Sequence, residues 1–333
     1  MDALPWREAW HAALYAPGRG FYVSGGGPAA HFTTATHGAP GAALARALLA
    51  LPEHPVRVVV DVGAGRGELA AHLRAALDDA LDDALDDALD RASVRVVAVD
   101  VVDRPEGLDE RIEWVRSPGG ADLPGELDGL EDCLVVAHEW LDVVPCTVAQ
   151  VDASGVLRVV LVDLATGHER LGEPLDGPDL DWTHEHWPAS TPGNRVEVGL
   201  DRDRAWAELV HRVRSGTLVA VDYAHTRDAR PAHGTLVGYA SGHLTAPVPD
   251  GSCDVTAHVA VDTLDADETP TQREALRRLG VTATVPPHAL ATQDPLGYLA
   301  ALERTSAEAR LVDPAGFGGF RWAVKRVHAR VVR

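Results

Sequence analysis

Short apolar runs recur along the chain, each followed by a break and then by a segment of different period. Residues 56–62 hold five valines around Arg57 and Asp61, and this reads as a strand buried on both faces. Gly63, Gly65 and Gly67 follow at alternate positions, and residues 69–77 then take the three-to-four spacing of a helix. Residues 94–99, 112–115, 134–137 and 217–221 are further buried strands by the same pattern, with a terminal strand over 321–327. Helical spacing appears at 4–16, at 41–51 before Pro52, at 203–213, and at 272–279 before Gly280. Strands alternating with helices predict a doubly wound α/β sheet with its ligand site at the carboxyl ends of the strands. Residues 147–151 and 157–163, joined by Asp152 to Gly155, predict a β-hairpin, and 164–194 an irregular insertion. Residues 234–239 and 254–258 are expected to complete the main sheet. Residues 18–28 form a glycine-rich loop whose Phe21 and Tyr22 suggest that it folds down over something.

A strand, a glycine turn and a helix together form a ligand cradle. Glycine lets the backbone turn sharply and approach a ligand, and the helix start offers unpaired N–H groups. A dinucleotide fingerprint wants a small residue where Glu68 stands, and a phosphate loop wants a lysine that is absent. The order Asp61-x-Gly63-x-Gly65-x-Gly67 instead resembles the first motif of S-adenosylmethionine-dependent methyltransferases. That ligand carries a zwitterion and no phosphate, so an acid near its amino group and helix N–H groups near its carboxylate make chemical sense. Asp100, at the tip of the second strand, is placed to accept hydrogen bonds from a ribose diol.

The second informative stretch is His138-Glu-Trp-Leu-Asp-Val-Val-Pro145, just past the fourth strand. Glu139 and Asp142 lie three residues apart, and a helical turn would set both carboxylates on one side. Paired carboxylates suit a planar cation such as a guanidinium. His258 and His138 are candidate acceptors for a departing proton.

Composition narrows the reading. The chain has 333 residues and a net charge of −20, which argues against nucleic acid as the main partner and leaves a basic protein substrate open. Cys133, Cys146 and Cys253 are scattered without a CxxC pair, so neither a disulfide framework nor a thiolate metal site is expected, and no metal is assigned. No apolar run approaches membrane-spanning length and no signal peptide is seen, so a cytoplasmic location without membrane insertion is expected. An Ala-Leu-Asp-Asp repeat from Ala76 to Asp90 reads as a solvated helical extension, since a four-residue period drifts around the helix and stacks like charges.

Several pieces in order resemble one family: residues 13–22, His31 to Ala35, the glycine turn, Glu139 to Pro145, Val221 to Tyr223, Gly234 to Leu236, Asp254 to Val259, Gln272 to Gly280 and Gly316 to Phe320. They are similar to the MidA-like S-adenosylmethionine-dependent methyltransferases, which include a mitochondrial complex I assembly factor that methylates protein arginine. The resemblance implies a class I, Rossmann-like methyltransferase fold with a terminal antiparallel strand, an N-terminal helical cap and a β-hairpin insertion. The expected division is a cap and substrate loop over 1–55 and a cofactor-binding domain over 56–333, with the insertion at 146–195. It implies cofactor contacts from Asp61, Gly63, Gly65, Gly67 and Asp100, with His138 assigned beside them. It implies an acceptor site at Glu139 and Asp142, with His258 as the third catalytic candidate. The acceptor is expected to be a protein, with a respiratory-complex subunit as one case. The competing readings are a small-molecule O- or N-methyltransferase and a non-catalytic assembly protein retaining the fold. Two departures from the family stand out: the cap lacks its acids and proline around His31, Thr36 and His37, and His138 replaces an asparagine.

Overall fold

The computed structural model describes residues 3–23, 34–82 and 94–329. Six strands form the central sheet, in the order Arg321–Val327, Gly216–Asp222, Cys133–His138, Val58–Val62, Arg95–Asp100 and Ile112–Arg116. All neighbours are parallel except Arg321–Val327, which runs antiparallel to Gly216–Asp222. The β-branched runs form strands because their alternate residues feed two separate apolar layers. Val59, Val96, Ala98, Leu134 and Val136 pack into one layer. Val58, Val60, Val62, Val97 and Val99 pack into the other. The helices Gly38–Leu49, Glu68–Asp82 and Pro295–Val312 contribute to the first layer, and Leu200–His211 to the second.

From Val58–Val62 the chain builds outward to Arg95–Asp100 and Ile112–Arg116, then crosses back to Cys133–His138 on the other side. This reversal opens a crevice at the carboxyl ends of Val58–Val62 and Cys133–His138, where α/β sheets of this kind take ligands.

The remaining strands depart from expectation. Val148–Val151 and Leu157–Asp163 do pair antiparallel, within a larger sheet ordered Ala3–Pro5, Leu157–Asp163, Val148–Val151, Arg195–Glu197, with Glu169–Pro174 also on Leu157–Asp163. Residues 164–194 are not irregular: they hold the strand Glu169–Pro174 and the helix Gly177–His186. That strand is polar and mostly exposed, so it left no apolar signal. Residues 234–239 and 254–258 do not extend the central sheet. Val237–Ala240 pairs with His243–Thr245 and with Asp254–Thr256 in a separate three-stranded sheet. The edge they would have joined is bridged by Glu268 and Thr271 against Val324 and Arg321. The Ala-Leu-Asp-Asp repeat is helical as far as Asp82, and its remainder lies outside the described residues, as does His31.

Candidate active site

The site begins at the end of Val58–Val62. Gly63, Gly65 and Gly67 have φ of +73°, +61° and +83°, left-handed conformations that explain glycine at every second position. The Gly63 and Ala64 N–H groups donate to Val99 O at 2.9 and 3.1 Å, which folds the turn onto the neighbouring strand. At Gly67 a Cβ would also come within 2.9 Å of Leu108. At Gly65 it would meet only the Glu68 carboxylate at 3.6 Å, so this glycine faces the crevice rather than a packed wall.

Asp100 closes the next strand. Its Oδ2 accepts the Gly65 N–H at 2.8 Å and its Oδ1 the Val102 N–H at 3.3 Å. Burial raises its pKa to about 6 despite these bonds. Between the two strand tips lies a cavity of about 330 Å³, walled by Gly63, Gly65, Asp100, Ser117, Trp140 and Tyr15. It places an acid, exposed main chain and apolar walls together, the complement of a nucleoside.

A second cavity of about 220 Å³ adjoins it, lined by Asp61, Glu139, Asp142, Asp254, Tyr22 and Tyr223 among others. Tyr22, Gly63, Gly65, Arg66, Glu139 and Val143 line both, so the two form one bipartite cleft. Asp61 is 2% exposed, its Oδ2 has no hydrogen-bond partner, and burial raises its pKa to about 7. Asp254, buried beneath Tyr22, accepts the Tyr22 hydroxyl at 2.8 Å and is likewise raised to about 7, chiefly by burial.

Glu139 and Asp142 do share a cavity, but not by way of a helical turn. Residues 139–144 form a bend and a tight turn, with Val144 N–H donating to Leu141 O at 3.2 Å. Glu139 sits at φ +52°, held by its N–H bond to Val221 O at 2.9 Å. The strand carries the chain straight to the sheet edge, and this single left-handed residue turns it aside, so no helix can start there. Asp142 is buried, and its Oδ2 accepts the Thr256 hydroxyl at 2.9 Å. Burial and then the Glu139 charge raise its pKa. Beneath this turn Arg202, 1% exposed, donates to the main-chain oxygens of Val144, His258 and Asp142 and lies over the Trp10 ring.

His138 is buried with its Nδ1 3.4 Å from Glu139 Oε1 and its Nε2 without a partner. His258 is not brought to the cleft. It is exposed, lines neither cavity, and stacks on Tyr223 with ring centroids 5.7 Å apart. Sequence reasoning missed Asp254, Thr256 and the direct part played by Tyr22. The advance signals were the pair of adjacent aromatics in the 18–28 loop and the segment Asp254 to Val259 within the family resemblance. Among the described residues no helix is long and apolar enough to cross a membrane.

The cleft's buried polar atoms without partners, Asp61 Oδ2, Glu139 Oε1 and His138 Nε2, call for a polar ligand beside the glycine turn. The zwitterionic tail and nucleoside of S-adenosylmethionine fit that donor and acceptor set. A family model described as "Putative S-adenosyl-L-methionine-dependent methyltransferase" matches residues 42–276. The fold is similar to a crystal structure of a superfamily member and "likely methyl transferase" from Burkholderia thailandensis bound to S-adenosyl-homocysteine. The TM-score is 0.71 at 24% identity, over 98% of this chain and 89% of that one. An uncharacterized protein of that superfamily, also from Burkholderia thailandensis, gives a TM-score of 0.72 at 25% identity over 98% and 88% of the two chains. Comparison with curated proteins gives no match. On the extent of the family match, this chain belongs to that family of S-adenosylmethionine-dependent methyltransferases, and S-adenosylmethionine is its methyl donor.

Proposed function

We propose that the enzyme methylates a cationic nitrogen in the smaller cavity, the guanidinium of an arginine on a protein. One observation carries this reading. Asp61, Glu139, Asp142 and Asp254 converge with Tyr22 and Tyr223 on one cavity that shares a wall with the nucleoside-shaped one. Burial strips these carboxyls of solvation and acidic neighbours repel them, Glu139 at Asp142, Asp142 and Glu139 at Asp254, Asp100 and Glu68 at Asp61, which is why three of the four have raised pKa values. Such a site gains most from a guest that brings positive charge. The tyrosine faces favour the same guest through cation–π attraction.

The cofactor supplies an electrophilic methyl group on a sulfonium. Asp100 and the Gly63–Gly65 main chain would hold its nucleoside, and Asp61 its amino group. Glu139 and Asp142 grip the planar guanidinium and localise its charge away from the reacting nitrogen. They also stand ready to receive the proton that nitrogen sheds on alkylation. His258 is given no part in this arrangement, because it lines neither cavity. A respiratory-complex subunit as the substrate protein rests on the resemblance to MidA-like methyltransferases.

The test is to incubate the purified enzyme with cell lysate and S-adenosylmethionine bearing a deuterated methyl group, then to analyse proteins and metabolites by mass spectrometry. Deuteromethyl groups on protein arginine are the expected outcome. Label confined to metabolite oxygens or amines would overturn the proposal and leave a small-molecule methyltransferase.

A further inference from the structure

Behind Asp142 lies a group that touches neither cavity. Asp222 ends the strand Gly216–Asp222, beside Cys133–His138, with Val221 and His138 in register. It is 3% exposed. Its Oδ1 accepts the Asp142 N–H at 3.2 Å, so one oxygen is committed to the turn that presents Asp142. Its Oδ2 is buried without an N–H or O–H partner, and so is Asp142 Oδ1. Burial and then the neighbouring Asp142 charge push the Asp222 pKa well above the usual carboxylate range. Two ionised carboxylates cannot share a hydrogen bond, since neither has a donor. A proton on one of them would give both orphaned oxygens a partner.

The surroundings decide which. Asp142 has other support: Thr256 donates to its second oxygen, and it faces the cavity where a cation would sit. Asp222 has none. Arg321, its register partner across the sheet, donates to Thr269 O instead. Arg202 is occupied with main-chain oxygens, and the acids nearby are Asp142 and Glu139. Asp254, Tyr22, Tyr223 and Tyr239 also lie around the pair and bring no positive charge, and His138 on the neighbouring strand sets its Nδ1 against Glu139.

We propose that Asp222 is a positioning residue that stays protonated in the folded enzyme and donates its O–H to Asp142, holding that carboxylate ionised and aimed at the methyl acceptor. A carboxylic acid kept neutral by its burial serves as a hydrogen-bond donor in this way. The arrangement removes one negative charge from a crowded site while leaving Asp142 with its own. Its role at the acceptor rests on the reading above, whereas the protonation of Asp222 does not.

Asparagine at 222 reproduces both bonds, accepting from the Asp142 N–H and donating to its carboxylate, and it cannot ionise. Asp222→Asn therefore keeps kcat within about threefold of the parent at neutral pH, whereas Asp222→Ala lowers it about 100-fold. The parent loses activity on the alkaline side as Asp222 ionises, and Asp222→Asn does not. Infrared spectra of the free enzyme give a readout independent of any acceptor. At about pH 8.5, above the range where Asp61 and Asp254 ionise, the parent retains a protonated-carboxyl band that Asp222→Asn lacks. An unchanged band, or an asparagine variant as impaired as the alanine one, overturns the proposal. If no cationic acceptor is methylated but the band behaves as stated, the acceptor assignment fails and the protonated Asp222 stands.

Discussion

Glu139 combines strain and chemistry in one residue. A non-glycine side chain at φ +52° costs on the order of 1 kcal/mol and persists only where its surroundings enforce it. Here the enforcing contact is the N–H bond to Val221 O, which ties the bend to the strand carrying Asp222. The strain turns the chain away from the sheet so that the carboxylate stands in the wall between the two cavities. Glu139→Gln preserves shape and backbone while removing the charge. It should lower kcat by about 10²–10³-fold and change cofactor affinity by less than about threefold, measured by steady-state kinetics and calorimetry. Unchanged turnover would remove Glu139 from the acceptor machinery. The acid pair was visible in the sequence because it follows a strand, where functional groups gather. Asp254 was not, because it reaches the cleft from a sheet formed far along the chain, and only the fold brings its carboxyl to Tyr22. His258 looked equivalent to it in sequence, only four residues on, yet its ring ends up outside.

Elements with a strong period were legible and elements with a weak one were not. The central strands are β-branched runs buried on both faces, a pattern few other structures produce, so their order along the chain disclosed the sheet. The helix Pro295–Val312 escaped notice because it buries only Ala307, Leu311 and Val312 and leaves Leu296 and Leu299 exposed. The helix Leu200–His211 was recognised, but not its most consequential residue. Arg202 reads as a surface arginine in a charged helix start, and instead it is the bracket under the active-site turn. Its three main-chain acceptors, on Val144, His258 and Asp142, come from two segments more than 50 residues away in sequence. Arg202→Met keeps much of the volume but takes the donor from the Val144 and His258 carbonyls, while Asp142 O keeps the Ala257 N–H, a loss of about 3 kcal/mol. Chemical denaturation should show that loss. Acceptor KM should rise more than cofactor affinity falls, since Asp142 lies in the released turn. A variant of unchanged stability would mean that water replaces the guanidinium without penalty.

The molecule as a whole stores negative charge, −20 overall, and part of it is buried at the functional end of the sheet. Asp61 and Asp254 are raised to about 7 and Asp100 to about 6, each chiefly by burial. A carboxyl whose folded pKa exceeds its unfolded value binds more protons when folded, so its contribution to stability is full below about pH 4 and declines as pH rises through the folded value. His225 opposes this: its pKa is lowered to about 3 by burial and then by Arg230, so its contribution grows from about pH 3 to about 6.5 and is flat above. Between about pH 6.5 and 8 the carboxyls act without that opposition, and stability should fall. At roughly 1.4 kcal/mol per pKa unit, Asp254 alone costs about 4 kcal/mol once ionised. Asp254→Asn should therefore stabilise the free protein at about pH 8 by a few kcal/mol and hardly at all at about pH 4, as read by denaturant unfolding at the two values. A cationic acceptor relieves the same electrostatic cost, so its affinity should rise with pH over the window in which the free enzyme weakens. That opposite pair of trends separates an acid cluster kept for binding a cation from one that merely tolerates its own burial.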